Sequence, residues 1–545
     1  MPPPSAAGVL SADTRYDPEH ILVALSWLLV VGSIAQVLAF SFGRDQGIYA
    51  TVAEGILQGE LPYRDRWDFK PPGIFLVYAL AFSVFGPSMI APRLVEALFM
   101  VGTVLGLRRL GGIFFASRTA GMMAGAIYAM VHAQMDFWHT GQPESFAGPL
   151  TVYAMVLTTH TWSRHRQAFA WLGIGMLFGL AFLLKPPLGG GAIACAYFLS
   201  AERRSEGRRL LSALAPFAWI GAASALPILA CIAWFSAAGA WSALHWTLFE
   251  FAPGYTALGW RGHQAGSVFF QSMSESFFGL SSLIAFGTIA AAAIHPRAER
   301  EREGFLLILG VLAFQLIGVT LQAKFFQYHF GASIPLLALI SASGFYKLWR
   351  RLGPASPTAT ITWAAFVIAS ATLRLPVRDL PGSFWSRTEA RMMYLLSGGR
   401  SPSREELDEK LHYIGGYNLH NVRQAAHAIE QAMGPGQCLY VWGFEPLLYS
   451  LSKSVPCSRY IYNVPQRARW QREAALEGLY RDLRRHPPAA VVTQTLDVLP
   501  EVTGTRRDST DSLPHYGRLQ HWLTAGYAPS KTIDRFTIWL PREMP

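Results

Sequence analysis

The chain has 545 residues, of which 51% are hydrophobic and only 15% charged, and its formal net charge is +11. So few charges over so many residues exclude an ordinary soluble enzyme and a disordered chain. The basic residues alternate with apolar runs and form no single patch, which excludes nucleic acid as the reason for the positive balance.

In chain order, apolar runs fall near 21–42, 93–107, 118–138, 144–161, 168–184, 188–200, 210–236, 275–294, 304–321, 331–346 and 358–375. Each compares with the roughly 20 apolar residues that a helix needs to cross a bilayer. The stretch 72–86 is also apolar, but it is short, and counting it as a span would reverse the side of every later loop. One set of loops carries Arg108, Arg109 and Arg118, then Arg164 and Arg166, then Arg203, Arg204, Arg208 and Arg209, then Arg297, Arg300 and Arg302, then Lys347, Arg350 and Arg351. After the first loop, the alternate set holds only Lys185, Arg261 and Lys324. The Arg-rich set is cytoplasmic by the positive-inside rule. Eleven spans, an inside N-terminus and an outside C-terminus follow, with 72–86 lying along the outer surface as a helix. The first run lacks a small-residue cleavage site and reads as an anchor.

The expected fold is an α-helical polytopic membrane bundle over residues 1–375, with a first outer loop at 43–92, and a C-terminal extracytoplasmic α/β domain over 376–545. In that domain Cys438-Leu-Tyr-Val-Trp, Cys457-Ser-Arg-Tyr-Ile-Tyr, Ala489 to Thr493 and Phe536 to Leu540 read as strands. A helix starting at Glu445-Pro446 and a charged helix near 466–485 separate them, which predicts a largely parallel sheet. Cys195 and Cys231 fall in apolar spans and read as small buried thiols. Cys438 and Cys457 begin two neighbouring strands on the oxidising side. A disulfide between them is expected, two unpaired buried thiols being the alternative.

The first outer loop is the most informative stretch. Asp45 stands where the chain leaves the first span, followed by Tyr49 and Glu54 at helical spacing, then Asp65, Asp68 and Lys70. Charge this close to the hydrocarbon edge is costly unless it has a task. Asp45-Gln46-Gly47, Gly59, Pro62-Tyr63-Arg64-Asp65 and Lys70-Pro71-Pro72 resemble the first external loop of the GT-C glycosyltransferases. The resemblance is to the bacterial polyprenyl-phosphate-sugar-dependent branch, with the lipid A aminoarabinose transferases and the protein O-mannosyltransferase clan.

That resemblance implies a GT-C bundle in the bacterial inner membrane, its site facing outward, taking a sugar from a polyprenyl-phosphate donor to a lipid, glycan or protein acceptor with inversion. Asp45 is then the acceptor-side carboxylate, a helix cap being the competing role. Glu144, in Gly141-Gln142-Pro143-Glu144, is the second acid, where relatives commonly carry Asp; Asp136 competes with it. Lys70 meets the donor phosphate. Arg93 and Lys185 are further cations, each with interfacial anchoring as its alternative, and Arg261 is a clamp for sugar or phosphate. Lys324, Tyr328 and His329 belong to a Gln322 to His329 stretch found before a late span in relatives. Two acids leave divalent-metal dependence open, and no phosphate loop, dinucleotide fingerprint or zinc spacing supports nucleotide-sugar chemistry. A transporter or flippase of a lipid-linked sugar is the rival reading, but no duplicated halves support it. A non-catalytic scaffold displaying the C-terminal domain is the third.

Overall fold

The computed structural model describes residues 18–160, 162–274, 282–294, 296, 298–353, 356–372 and 382–542. The start of the expected 275–294 span, the end of the 358–375 span, Arg297 and the boundary at 375–376 lie outside them.

The chain opens with α1 (Pro18–Leu38), then α2 (Arg44–Leu57), α3 (Gly73–Phe85), α4 (Ile90–Phe114) and α5 (Arg118–Gln134). A single turn, α6 (Asp136–His139), leads to α7 (Pro143–Thr159), α8 (Arg164–Leu184) and α9 (Gly191–Ser205). Helices Ala215–Ala237, Ser282–Ala293, Glu299–Gln322, Ile334–Leu352 and Pro357–Thr372 complete the bundle. All eleven expected runs therefore fall on helices, most with ends displaced by several residues. Among the described residues, 5 segments are long and apolar enough to cross a membrane: Pro18–Leu38, Ile90–Phe114, Arg166–Leu184, Leu210–Ala237 and Glu299–Gln322. The others are shorter or end in charge, as Ile334–Leu352 does at Arg350 and Arg351.

Helix α5 is buried along almost its whole length, and its small residues explain how. A Cβ on Gly121 would meet the Leu107 carbonyl oxygen at 2.5 Å, and one on Gly111 would meet the Gly121 Cα at 2.5 Å. The backbones of α4 and α5 touch there, which only glycine permits. Helix α3 has 13 residues, a length of about 20 Å against a hydrocarbon thickness of about 30 Å. It buries Ile74, Phe75, Tyr78 and Phe82 and exposes Leu76, Leu80, Val84 and Phe85, as a helix lying on a surface would.

The C-terminal part carries a small antiparallel hairpin, β1 (Tyr413–Ile414) with β2 (Tyr417–Asn418), and a five-stranded sheet. The sheet contains β3 (Cys438–Trp442), β4 (Val455–Pro456), β5 (Ala490–Gln494), β6 (Tyr527–Ile533) and β7 (Phe536–Pro541), in the order β4-β3-β5-β7-β6. Strand β3 pairs parallel with β4 and β5, but β7 runs antiparallel to both β5 and β6. The sheet is thus mixed, closed at one edge by a hairpin whose β6 strand the sequence reading missed. The charged helix begins at Arg472, not near 466, behind a separate turn Val464–Arg467.

The expected strand Cys457 to Tyr462 is also corrected. Pairing with β3 stops at Pro456, and the segment beyond it leaves the sheet to meet the first outer loop. Trp67 N donates to the Arg459 carbonyl at 2.7 Å, and the Trp67 ring packs against Tyr460 and Tyr462. Cys438 and Cys457 are bonded to one another across β3 and β4, with a Cα separation of 5.0 Å. Non-reducing peptide mapping of fresh membranes is expected to recover the two cysteines joined. Replacing both by Ser should destabilise the domain by about 3 kcal/mol in the chain-entropy description; recovery of two alkylated thiols would contradict this.

Candidate active site

The site is assembled where α2, the turn before α3, the α6–α7 turn and a late 3₁₀ turn converge. Asp45 is the second residue of α2. Gly43 caps that helix, its N–H donating to Gln46 Oε1 at 2.9 Å, so Asp45 is not occupied as a cap. Its Oδ2 instead lies 3.8 Å from Lys70 Nζ and accepts a hydrogen bond from Gln142 Nε2 at 3.2 Å. Gln142 Oε1 in turn accepts from the Tyr49 hydroxyl at 2.7 Å, one helical turn beyond Asp45.

Lys70 is held by its own backbone. Its N–H donates to Asp68 Oδ2 at 3.1 Å, and its carbonyl accepts from the Tyr63 hydroxyl at 2.8 Å. Its ammonium donates to the Tyr328 hydroxyl at 3.2 Å and lies 5.0 Å from the centre of that ring. Burial pulls the Lys70 pKa down, but the charges of Asp45, Glu144 and Asp68 outweigh it and hold the group protonated. Glu144, in the first turn of α7, is buried and ion-paired with Lys185, which caps the end of α8. The Lys185 ammonium lies 5.9 Å from the same Tyr328 ring. Two acids and two lysines thus surround one tyrosine, whose own pKa burial pushes well above the ordinary value.

His329, beside it, is buried, and burial together with the Lys185 and Lys70 charges depresses its pKa well below the usual range. His139 lies with its ring 6.1 Å from Tyr328 and its pKa lowered to about 4 by burial. Both imidazoles are therefore neutral. Glu144 Oε2, His139 Nδ1 and His329 Nδ1 are buried with no hydrogen-bond partner among the described residues, which is uncommon for buried polar atoms. Among the described residues, no group of three or more His, Cys, Asp or Glu side chains converges to hold a metal ion.

The remaining candidates lie elsewhere. Lys324 is at the edge: its ammonium donates to the Glu501 carbonyl at 2.6 Å and lies 4.2 Å from the Tyr255 ring centre, with its pKa lowered to about 8 by burial. Arg261 is exposed in the turn after helix Ala252–Gly259 and does not join the group. Arg93 is fully buried behind it. Its guanidinium donates to Glu96 Oε2 at 2.7 Å, Thr140 Oγ1 at 3.0 Å and the Ser41 carbonyl at 2.9 Å. Glu96 Oε1 accepts from Gly141 N at 2.7 Å, so Arg93 braces the turn that presents Gln142 instead of facing a substrate. Asp136 is likewise spent: Arg387 Nε at 2.8 Å and Arg391 Nη2 at 2.6 Å hold its two oxygens in a buried triad.

Sequence reading gave no role to Gln142, Tyr49, Asp68 or His139. Asp68 is fully buried, and its Oδ1 accepts from the hydroxyl of Tyr462 of the C-terminal part at 2.5 Å. Only the crowding of polar residues in the segments before α3 and before α7 signalled these groups.

The profile of the dolichyl-phosphate-mannose-protein mannosyltransferase family matches residues 69–234, a stretch that includes Lys70, Arg93, Glu144 and Lys185 but not Asp45. ArnT from Cupriavidus metallidurans, solved in the apo state, is similar over 95% of this chain and 97% of its own at 14% identity, with a TM-score of 0.59. This chain has the ArnT fold. The same protein bound to undecaprenyl phosphate aligns over the same shares at 15% identity with a TM-score of 0.53. Among curated proteins, none matches the sequence. The coarser part of the expected fold is therefore present: a mainly helical architecture and a small C-terminal sheet region, similar to ArnT over nearly its whole length.

The contact between α2 and the C-terminal part holds a further titrating group. Glu445 is fully buried 3.5 Å from Arg44, and burial, only partly offset by that arginine, raises its pKa from 4.5 to about 7. The native state then keeps a proton that the unfolded chain releases, so stability falls as pH rises from about 4.5 to about 7. The loss should be on the order of a few kcal/mol. Glu445→Gln is expected to flatten this dependence and raise the melting temperature at neutral pH. A wild-type melting curve independent of pH across that window would contradict it.

Proposed function

We propose that this chain is a membrane glycosyltransferase that moves a sugar from a polyprenyl-phosphate donor to an extracytoplasmic acceptor. The observation that carries the reading is the pairing of Asp45 with Lys70 beside Tyr328, a ring that the Glu144-paired Lys185 also approaches. The acceptor hydroxyl gives its proton to Asp45 while its oxygen bonds the anomeric carbon, and the bond from that carbon to the lipid phosphate oxygen breaks. Lys70 and Lys185 take up the charge that develops on the departing phosphate. No side chain needs to bond the sugar, so the configuration inverts. Tyr49 and Gln142 hold the Asp45 carboxylate in place, and the neutral imidazoles of His139 and His329 offer ring nitrogens to sugar hydroxyls.

The undecaprenyl phosphate in the ArnT structure and the dolichyl phosphate in the family description support a lipid-phosphate donor. The test is transfer by the purified protein of labelled sugar from a polyprenyl-phosphate donor to an envelope fraction, with release of free polyprenyl phosphate. An unchanged donor, together with its accumulation on the inner leaflet of cells lacking the gene, would favour the transporter. Mass spectrometry of the envelope with and without the gene identifies sugar and acceptor.

In the proposed orientation all eleven apolar runs cross the inner membrane of a bacterium, and the site and the 382–542 region face outward. Single cysteines placed near 50 and 260 should label from outside, and those near 205 and 300 should not. The reverse pattern would invert the topology and remove the site assignment with it.

A further inference from the structure

A recess lies on the opposite side of α2 from the candidate site. At 3.6 residues per turn, Ala50 and Glu54 sit about 140° and about 180° round that helix from Asp45. They line a cavity of about 490 Å³ whose apolar walls include Phe42, Phe82, Met89 and Leu451. Arg404 and Arg423 close one side of it.

Both arginines are oriented by Asp408, which forms an ion pair with Arg404 Nε at 3.2 Å and accepts a hydrogen bond from Arg423 Nε at 2.9 Å. The two side chains stay 29% and 33% exposed while Asp408 is wholly buried, so the positive groups and not the carboxylate reach the cavity. Arg404 also donates to the Ala39 carbonyl at 3.1 Å and to Ser41 Oγ. Beyond its bond to Asp408, Arg423 has, among the described residues, only the weak acceptor Met89 Sδ, at 3.6 Å, so it keeps donor capacity. The one acid in the lining, Glu54, accepts from Ser450 Oγ at 2.9 Å, and burial raises its pKa.

The position of the mouth decides the kind of ligand. Phe82 of α3 forms one wall and Tyr394 of helix Phe384–Leu396 forms another. That second helix buries Phe384, Arg387, Ala390 and Arg391 but exposes Trp385, Met393 and Leu396, with Glu389 among them. The recess therefore lies between two helices that both expose large apolar side chains, as helices at the surface of a bilayer do. A dissolved anion needs no such walls; a lipid needs both the apolar surface and the cations.

We propose that this recess binds the phosphate headgroup of an anionic membrane lipid, with Arg423 and Arg404 on the phosphate and the acyl chains leaving past Met89 and Ile90. The bound lipid would fasten helix Phe384–Leu396, and the outer domain that follows it, to the membrane surface. This goes beyond sugar transfer and does not depend on it.

The test is native mass spectrometry of the purified full chain, titrated with phosphatidylglycerol or with phosphatidylcholine. Ile90 is 46% exposed at the rim, so its substitution leaves the core alone. Phosphatidylglycerol should stay bound to the wild type and outcompete phosphatidylcholine. Ile90→Glu and Arg423→Gln should each weaken its retention by roughly tenfold, the scale of one lost charge-assisted contact, while Ile90→Lys should not. Equal retention of the two lipids, wild-type retention by Ile90→Glu, or displacement of phosphatidylglycerol by inorganic phosphate would each overturn the proposal.

Discussion

Asp45→Asn is expected to fold, insert and bind donor, yet transfer sugar roughly 10²–10⁴-fold more slowly, the usual contribution of a general base. The substitution keeps the shape of the side chain and its contact with Gln142 Nε2 at 3.2 Å, but removes the negative charge that faces Lys70 at 3.8 Å. Lys70 loses that charge but keeps the Tyr328 hydroxyl at 3.2 Å, so its ammonium is not left without a hydrogen-bond partner. Steady-state transfer by purified protein, with the melting temperature as control, measures it. A variant transferring at the wild-type rate would make Asp45 an electrostatic partner for Lys70 and no more.

The other outer acid should fail in a different way. Asp136→Ala leaves Arg387 and Arg391 buried without their counter-charge, since both hold that carboxylate within 2.8 Å and all three side chains are almost wholly inaccessible. Breaking a buried pair by removing one partner costs about 3–5 kcal/mol, which is a large share of the stability of a typical domain. The expected result is loss of folded protein from detergent extracts, seen as a lower melting temperature or as aggregation on size exclusion. A folded Asp136→Ala protein with a normal melting temperature and no transfer would instead move Asp136 into the chemistry.

The contrast between these two acids shows what a sequence can convey. Asp45 and Asp136 both stand close to the C-terminal end of an apolar run, and nothing local separates them. What separates them is a guanidinium 255 positions away along the chain, Arg391, which closes on Asp136 from helix Phe384–Leu396. The bundle was legible because each helix announces itself through its own apolar run, and the α3 surface helix because it is too short to span. Lys70 and Glu144 were legible from the motif around them, but their convergence on Tyr328 was not. The segment Cys457–Tyr462 was misread because its residues are buried as a strand's would be, though the partner that buries them is Trp67 and not a neighbouring strand. Gln142 escaped notice because an amide carries no charge to attract attention, and its value lies in bridging Tyr49 and Asp45.

The Asp68–Tyr462 hydrogen bond bears on how such chains can be recombined. Asp68 also receives the Lys70 N–H, so a residue from the sheet domain sits one link from the proposed phosphate-binding lysine. A chimera that exchanged everything after residue 382 would therefore change the support beneath that lysine along with whatever the outer domain recognises. Segment 459–463 and loop 65–70 form one unit split between two regions of sequence, and an exchange that preserves turnover has to carry both halves together.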